Sequence, residues 1–134
     1  MYLQRQISGK VKEASEQFPV IFLTGPRQSG KTTLLTKIFP GYRYINLEDP
    51  EIRQWATEQP RDFLDNNPWP VIIDEAQYAP ALFSYIQGIV DEHQKPGMYL
   101  LSGSQNFLLM EKITQSLAGR IAVLTLLPLS FQEI

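Results

Sequence analysis

The fold of this chain is decided by a glycine-rich stretch near its amino terminus, Gly25-Pro26-Arg27-Gln28-Ser29-Gly30-Lys31-Thr32-Thr33. The apolar run at 20–23 precedes it and predicts a strand covered on both faces, whereas the residues after it have helical character. Glycines let the backbone bend so that successive N–H groups point inward, and the helix that follows directs its positive end to the same place. The stretch is therefore typical of a loop that binds phosphate groups.

The residues of this loop have predicted roles in binding a nucleotide. Lys31 supplies a mobile positive charge to the β and γ phosphates, and Thr32 offers a hydroxyl to Mg²⁺. We expect all the residues from 25 to 33 to contact the nucleotide. A Rossmann dinucleotide site is disfavoured, although Glu48 lies at a suitable spacing. The loop has no G-x-G-x-x-G pattern, and a lysine stands where the pyrophosphate must approach.

A pair of acidic residues follows the third predicted strand. Asp74 and Glu75 come directly after the apolar residues 71–73. Because ligands of open α/β sheets gather at the carboxyl ends of the strands, we expect Asp74 to hold the magnesium shell together with Thr32. Glu75 is predicted to polarise a water molecule for in-line attack on the γ-phosphate. The sequence has no Asn-Lys-x-Asp motif for reading guanine, so ATP is favoured over GTP.

Helical and strand-like segments alternate along the chain. The residue pattern predicts helices over 2–17, 31–39, 50–57, 81–94 and 107–117, a short helix and a loop over 60–67, and strands over 20–23, 42–47, 71–73, 98–101 and 121–127. Residues 128–134 begin what is predicted to be a further helix. This alternation is the pattern of a doubly wound parallel α/β domain.

Composition narrows the class of protein. The 134 residues are 43% hydrophobic, which suits one globular domain over 1–134, and 12 basic against 14 acidic residues give a net charge of −2. This balance gives no general attraction to nucleic acid. The chain has no cysteine, no apolar run long enough to span a membrane and no signal-peptide pattern, so we expect a cytoplasmic protein. Because the last predicted helix is cut short, we expect the sequence to be an amino-terminal part of a longer protein.

Four short blocks of sequence carry a resemblance to a known family. They are Gly-Pro-Arg-Gln-x-Gly-Lys-Thr-Thr at 25–33, Ile-Asp-Glu-Ala-Gln at 73–77, Leu-Ser-Gly-Ser-Gln at 101–105 and Ser-Leu-Ala-Gly-Arg at 116–120. With these blocks the chain resembles the prokaryotic AAA-superfamily ATPases that carry a carboxyl-terminal domain of unknown function. The resemblance implies a doubly wound three-layer P-loop NTPase fold with a parallel five-stranded sheet of order 5-1-4-3-2.

The same resemblance implies roles for further polar residues. Ser104 matches a sensor position at the tip of the central strand, where a side chain can respond to the γ-phosphate. Ser102 or Gln105 could take that part instead, and a solvated turn is the alternative for the serines. Arg120 matches the Gly-Arg of the family, which implies an arginine finger or a phosphate sensor, and a structural ion pair at a strand start is an equal alternative. Arg27 is expected to contact phosphate or a neighbouring subunit.

These features together predict ATP binding and magnesium-dependent ATP hydrolysis that drives a conformational switch. We expect Lys31, Glu75, Ser104 and Arg120 to act on the γ-phosphate. Their contacts would bias the position of the protein's own carboxyl-terminal domain or of a protein partner, with homo-oligomerisation left open. Two alternatives remain, a nucleotide-sensing interaction module with little turnover and a P-loop kinase. The helical lid and second sensor of many AAA ATPases have no counterpart in these residues, which leaves hydrolysis by this part of the protein open.

Overall fold

The computed structural model describes residues 2–25, 30–104 and 107–126. The helices within these ranges are α1 (Tyr2–Ser15), α2 (Lys31–Ile38), α3 (Pro50–Glu58), α4 (Pro60–Asn66), α5 (Leu82–His93) and α6 (Phe107–Leu117), with a single-turn 3-10 helix at Ala76–Tyr78. The strands are β1 (Val20–Thr24), β2 (Arg43–Asn46), β3 (Val71–Asp74), β4 (Tyr99–Gly103) and β5 (Ile121–Thr125). The elements predicted within the described residues are confirmed with small shifts at their ends. Residue 127 of the predicted last strand and the further helix predicted over 128–134 lie outside the described residues.

The strands form one parallel sheet of order β2-β3-β4-β1-β5. Read from the other side, this is the order 5-1-4-3-2 that the resemblance implies, so the predicted fold class is confirmed. The strand of Asp74 is separated from β1 by β4, as expected. In the pairing register Thr24 lies beside Gly103, and Asn46 lies beside Asp74. Because all strands run the same way, their last residues meet at one end of the sheet, here called the carboxyl end.

Both faces of the sheet are covered by helices. Alternate residues of β1 enter different cores: Val20 and Phe22 pack with the buried residues of α3, α4, α5 and α6. Ile21 and Leu23 pack on the opposite face with Val11 of α1 and with α2. Every residue of β1 is buried as a result, which explains why its first four residues are continuously apolar rather than alternating. The domain thus has three layers, with the sheet between two layers of helices.

Helix α3 begins where the sequence predicts it. The side chain of Asp49 accepts hydrogen bonds from the backbone N–H groups of Glu51 and Ile52, and Pro50 occupies the first helical position. The cap directs the chain from the end of β2 into the layer that covers the sheet. Among the described residues, no helix combines the length and the apolar character needed to cross a bilayer.

Candidate functional site

The glycine-rich loop connects the carboxyl end of β1 to the start of α2. Gly30 precedes α2 with φ 90° and ψ 15°, a left-handed conformation that strains residues with a side chain. Helix α2 has no acidic residue in its first turn, so its positive end is not neutralised there. Pro26, Arg27, Gln28 and Ser29 lie outside the described residues, and their predicted contacts with the nucleotide stay predictions.

Lys31 is the first residue of α2 and is buried, with 5% of its surface exposed. Its Nζ donates a hydrogen bond to the backbone carbonyl of Gly25 at 2.9 Å, across the mouth of the loop. A buried ammonium group needs such partners, because leaving water is costly for an ion. Thr33, which follows Thr32 on α2, is exposed. The structure therefore places the predicted phosphate-binding lysine at the head of the helix and beside the loop.

Asp74 ends β3 and is 4% exposed. Its Oδ2 accepts hydrogen bonds from the hydroxyls of Thr32 at 2.5 Å and Tyr44 at 2.7 Å. Its Oδ1 accepts from Ser102 Oγ at 2.5 Å and from the backbone N–H of Glu75 at 2.9 Å. These four donors come from α2, β2, β4 and the turn after β3. The predicted pairing of Thr32 with Asp74 is thus present as a direct contact, 42 residues apart in sequence.

The sequence does not predict two of these donors. Ser102 is predicted only as an alternative sensor, and the structure buries it completely against the carboxylate. Tyr44 has no predicted role in the site. Burial, followed by the hydrogen bond to Asp74, raises the pKa of Tyr44 above its ordinary value, so the phenol is a donor at neutral pH. The signal for Tyr44 is in the register: it stands two residues before Asn46, the neighbour of Asp74.

Glu75 follows directly and has an unusual backbone conformation. Its φ of 57° and ψ of 46° lie in the left-handed region, which non-glycine residues seldom adopt and which is often retained at functional sites. The Oε1 atom of its half-buried side chain accepts a hydrogen bond from Gln77 Nε2 at 2.6 Å. Gln77 in turn lies against Gly103, where an added Cβ would collide with its Oε1 atom. The tip of β4 thus supports Gln77, and Gln77 holds the carboxylate of Glu75.

Ser104 comes directly after β4 and is half-buried. It therefore stands at the same end of the sheet as Asp74 and the loop, which is the position predicted for a sensor. Gln105, the other alternative, lies outside the described residues. The structure brings Gly25, Gly30, Lys31, Thr32, Asp74, Glu75 and Ser104 to the carboxyl end of the sheet.

Arg120 lies at the opposite end. Its carbonyl accepts a hydrogen bond from the backbone N–H of Val20 at 3.2 Å, which places it beside the start of β1. The 5 residues of β1 separate it from the loop by roughly 16 Å at about 3.3 Å per residue. The guanidinium Nε and Nη2 atoms bind the two carboxylate oxygens of Asp91 at 2.6 and 3.0 Å, and Nη1 binds the Ala118 carbonyl at 2.8 Å. In the structure Arg120 thus forms the ion pair that is one of its two predicted roles, and it lies at the end of the sheet opposite the loop. Its role as an arginine finger or phosphate sensor stays a prediction.

Replacement of Arg120 by alanine is accordingly expected to lower the melting temperature slightly at neutral pH without changing ATP hydrolysis. The hydrogen bond from Arg120 lowers the pKa of Asp91, so this pair stabilises the fold above the ordinary carboxylate pKa of 3.8 and loses its effect as the pH falls through the lowered value. The difference in melting temperature between wild type and variant should shrink in acid. Asp91→Asn is the matched control and should give a similar shift. A large fall in turnover with Arg120→Ala would contradict this account.

The donor set at Asp74 and Thr32 fits Mg²⁺. A carboxylate oxygen and a hydroxyl oxygen are hard ligands, and they already approach each other closely. Among the described residues there is no group of three or more histidine, cysteine or acidic side chains that could hold a metal by themselves. Mg²⁺ at nucleotide sites needs no such cage, because substrate phosphates and water complete its coordination.

Comparison with known proteins identifies similar chains. Residues 17–134 match a protein family described as an AAA domain. Two curated relatives, uncharacterized proteins of Mycobacterium bovis and Mycobacterium tuberculosis, are each 32% identical over 134 residues, which covers 98% of this chain and 30% of the relative. The chain therefore spans less than a third of the length of these relatives.

A solved structure shares the fold. It is that of a Signal Transduction ATPase with Numerous Domains (STAND) protein with a tetratricopeptide repeat sensor from Pyrococcus horikoshii. The match has a TM-score of 0.50 and 14% sequence identity, and it covers 91% of this chain and 22% of that chain. At this identity the likeness concerns the fold alone, which is that of the P-loop NTPases.

Proposed function

Since the chain belongs to the AAA domain family and has the fold of P-loop ATPases, we propose that it binds ATP with Mg²⁺ at the carboxyl end of its sheet and hydrolyses it. One observation carries the proposal. The Thr32 hydroxyl at the start of α2 and the Asp74 carboxylate at the tip of β3 meet at 2.5 Å, and the buried Lys31 directly precedes Thr32. This arrangement unites a phosphate-binding helix end with a pair of magnesium ligands.

Binding is assigned to the glycine-rich loop and the head of α2. Lys31 exchanges its bond with the Gly25 carbonyl for oxygens of the β and γ phosphates, where its charge has a stronger partner. The N–H groups of the first turn of α2 are proposed to add donors for the same phosphates. Thr32 and Asp74 would hold Mg²⁺, which would supply positive charge to the phosphate oxygens. Pro26, Arg27, Gln28, Ser29 and Thr33 are proposed to complete the nucleotide contacts.

Hydrolysis is assigned to Glu75. Its carboxylate accepts a proton from a water molecule as the water oxygen forms a bond to the γ-phosphorus and the bond from that phosphorus to the bridging oxygen breaks. The products are ADP and inorganic phosphate. Lys31 offsets the charge that spreads over the transferred group, and Ser104 is proposed to contact the γ-phosphate from the tip of β4.

The output of the reaction is proposed to be a conformational switch. The chain spans 30% of its curated relatives, so the remainder of a longer protein, or a separate protein partner, is the proposed recipient of the change. Loss of the γ-phosphate removes contacts at Lys31 and Ser104 at once, which can shift a two-state element.

Two measurements test the proposal: calorimetric titration of the protein with ATP, and an assay of phosphate release, each in Mg²⁺ and in EDTA. We expect ATP binding in both conditions, tighter in Mg²⁺, and phosphate release only in Mg²⁺. GTP, titrated in parallel, should bind more weakly. If ATP produces no heat of binding in either condition, the proposed function is wrong.

A further inference from the structure

The carboxylate of Asp74 has a full set of donors. An ionised carboxylate offers about four lone-pair positions. Glu75 N–H and Ser102 Oγ take the two on Oδ1, and the hydroxyls of Thr32 and Tyr44 take the two on Oδ2. If Mg²⁺ or a water of its shell is to reach Asp74, as the proposed function requires, one of these donors must give way.

The four donors differ in what their departure costs. A buried donor that loses its acceptor bears the full penalty of desolvation, whereas an exposed donor can bind water instead. Ser102 is fully buried. The N–H of Glu75 belongs to the residue directly after Asp74, so the backbone holds it beside the carboxylate. Thr32 is itself the second magnesium ligand of the proposed site, so it lies beside Asp74 both with and without Mg²⁺. Tyr44 is 40% exposed and stands on β2, an outer strand of the sheet.

We propose that the hydroxyl of Tyr44 competes with the magnesium shell for Oδ2 of Asp74, and that binding of Mg²⁺ with ATP releases it. Tyr44 is thus a positioning residue for the metal ligand and touches no phosphate. This inference rests on the proposed function and adds a regulatory step to the same site. Because β2 is an outer strand, release of Tyr44 would change the contacts of an exposed aromatic side chain at the edge of the sheet each time ATP and Mg²⁺ bind.

Tyr44→Phe tests this competition, because it removes the hydroxyl and keeps the ring. We expect the variant to bind ATP about 2- to 10-fold more tightly than wild type in Mg²⁺, which is the effect of relieving one hydrogen bond of ordinary strength. In EDTA the affinity for ATP should be equal in the two proteins. Calorimetric titration measures both values, and neither depends on turnover.

Tyr42→Phe is the matched control. Tyr42 lies just before β2, and its hydroxyl donates a hydrogen bond of 2.7 Å to the carbonyl of Gly97, at the amino end of β4. It has the same chemistry as Tyr44 but is remote from Asp74. This variant should lose stability and keep the wild-type affinity for ATP in both conditions.

Thermal melting gives a second readout. Without ligand, Tyr44→Phe should melt below wild type because it lacks one hydrogen bond. With saturating ATP and Mg²⁺ the difference should shrink, since the wild type has then given up the same bond. If wild type binds ATP with Mg²⁺ and Tyr44→Phe binds it equally or more weakly, the proposed competition is wrong and the proposed function is unaffected. A wild type that binds no ATP would overturn the proposed function and this inference with it.

Discussion

Replacing Glu75 by glutamine is expected to lower the rate of ATP hydrolysis by about 100- to 10,000-fold, the usual contribution of a general base. An amide of the same shape cannot accept the proton of the attacking water at neutral pH. The affinity for ATP should stay within about twofold of wild type, because Glu75 is proposed to contact the water, and the proposed binding groups are Lys31, Thr32 and Asp74. Glutamine can also keep a hydrogen bond to Gln77, which preserves the left-handed turn.

Phosphate release under single-turnover conditions measures the rate of hydrolysis, and calorimetric titration measures the affinity for ATP. Glu13→Gln is a suitable control, since Glu13 is an exposed acid on α1 and should leave both unchanged. If wild type releases phosphate no faster than Glu75→Gln but binds ATP, the protein is a nucleotide-sensing module. Production of ADP that depends on a small acceptor would instead indicate a kinase.

The parts of the site that sequence reasoning placed well are adjacent in sequence to buried strands. Lys31 and Thr32 follow β1 after one loop, Asp74 is the last residue of β3, and Glu75 follows it directly. Apolar runs mark such strands, and parallel strands bring their carboxyl ends together. The sequence position of a polar residue at the end of a strand is therefore enough to predict that it lies in the site. The order of the strands was supplied by family resemblance, because periodicity does not specify which strands are neighbours.

The parts that were missed depend on contacts between distant residues. Tyr44 is 30 residues from Asp74, and Asp91, the unpredicted partner in the ion pair of Arg120, is 29 residues from it. The first contact needs the register of β2 on β3, and the second needs the last turn of α5 to end beside the start of β5. Neither is encoded in a local pattern. The left-handed conformation of Glu75 was missed for another reason, since no glycine marks it.

The buried lysine at the head of α2 illustrates how function and stability oppose each other here. A positive charge at the amino end of a helix faces the positive end of the helix dipole, and burial adds a cost of desolvation. The Gly25 carbonyl offsets part of this cost at 2.9 Å. A triphosphate would offset far more, because it places several anionic oxygens at the same point. A lysine at this position would therefore gain interaction energy when a triphosphate binds, which supports the proposed role of Lys31.

Replacing Lys31 by methionine is accordingly expected to weaken ATP binding by at least about 100-fold, the loss of two charge-assisted hydrogen bonds to phosphate. The melting temperature of the ligand-free protein should not fall, because methionine fills much of the same space without a buried charge. Lys37→Met is the matched control: Lys37 is exposed in the last turn of the same helix and should keep the wild-type affinity. Calorimetric titration with ATP and thermal melting of the three proteins measure both effects. Undiminished ATP affinity in Lys31→Met would show that the nucleotide does not bind at the head of α2.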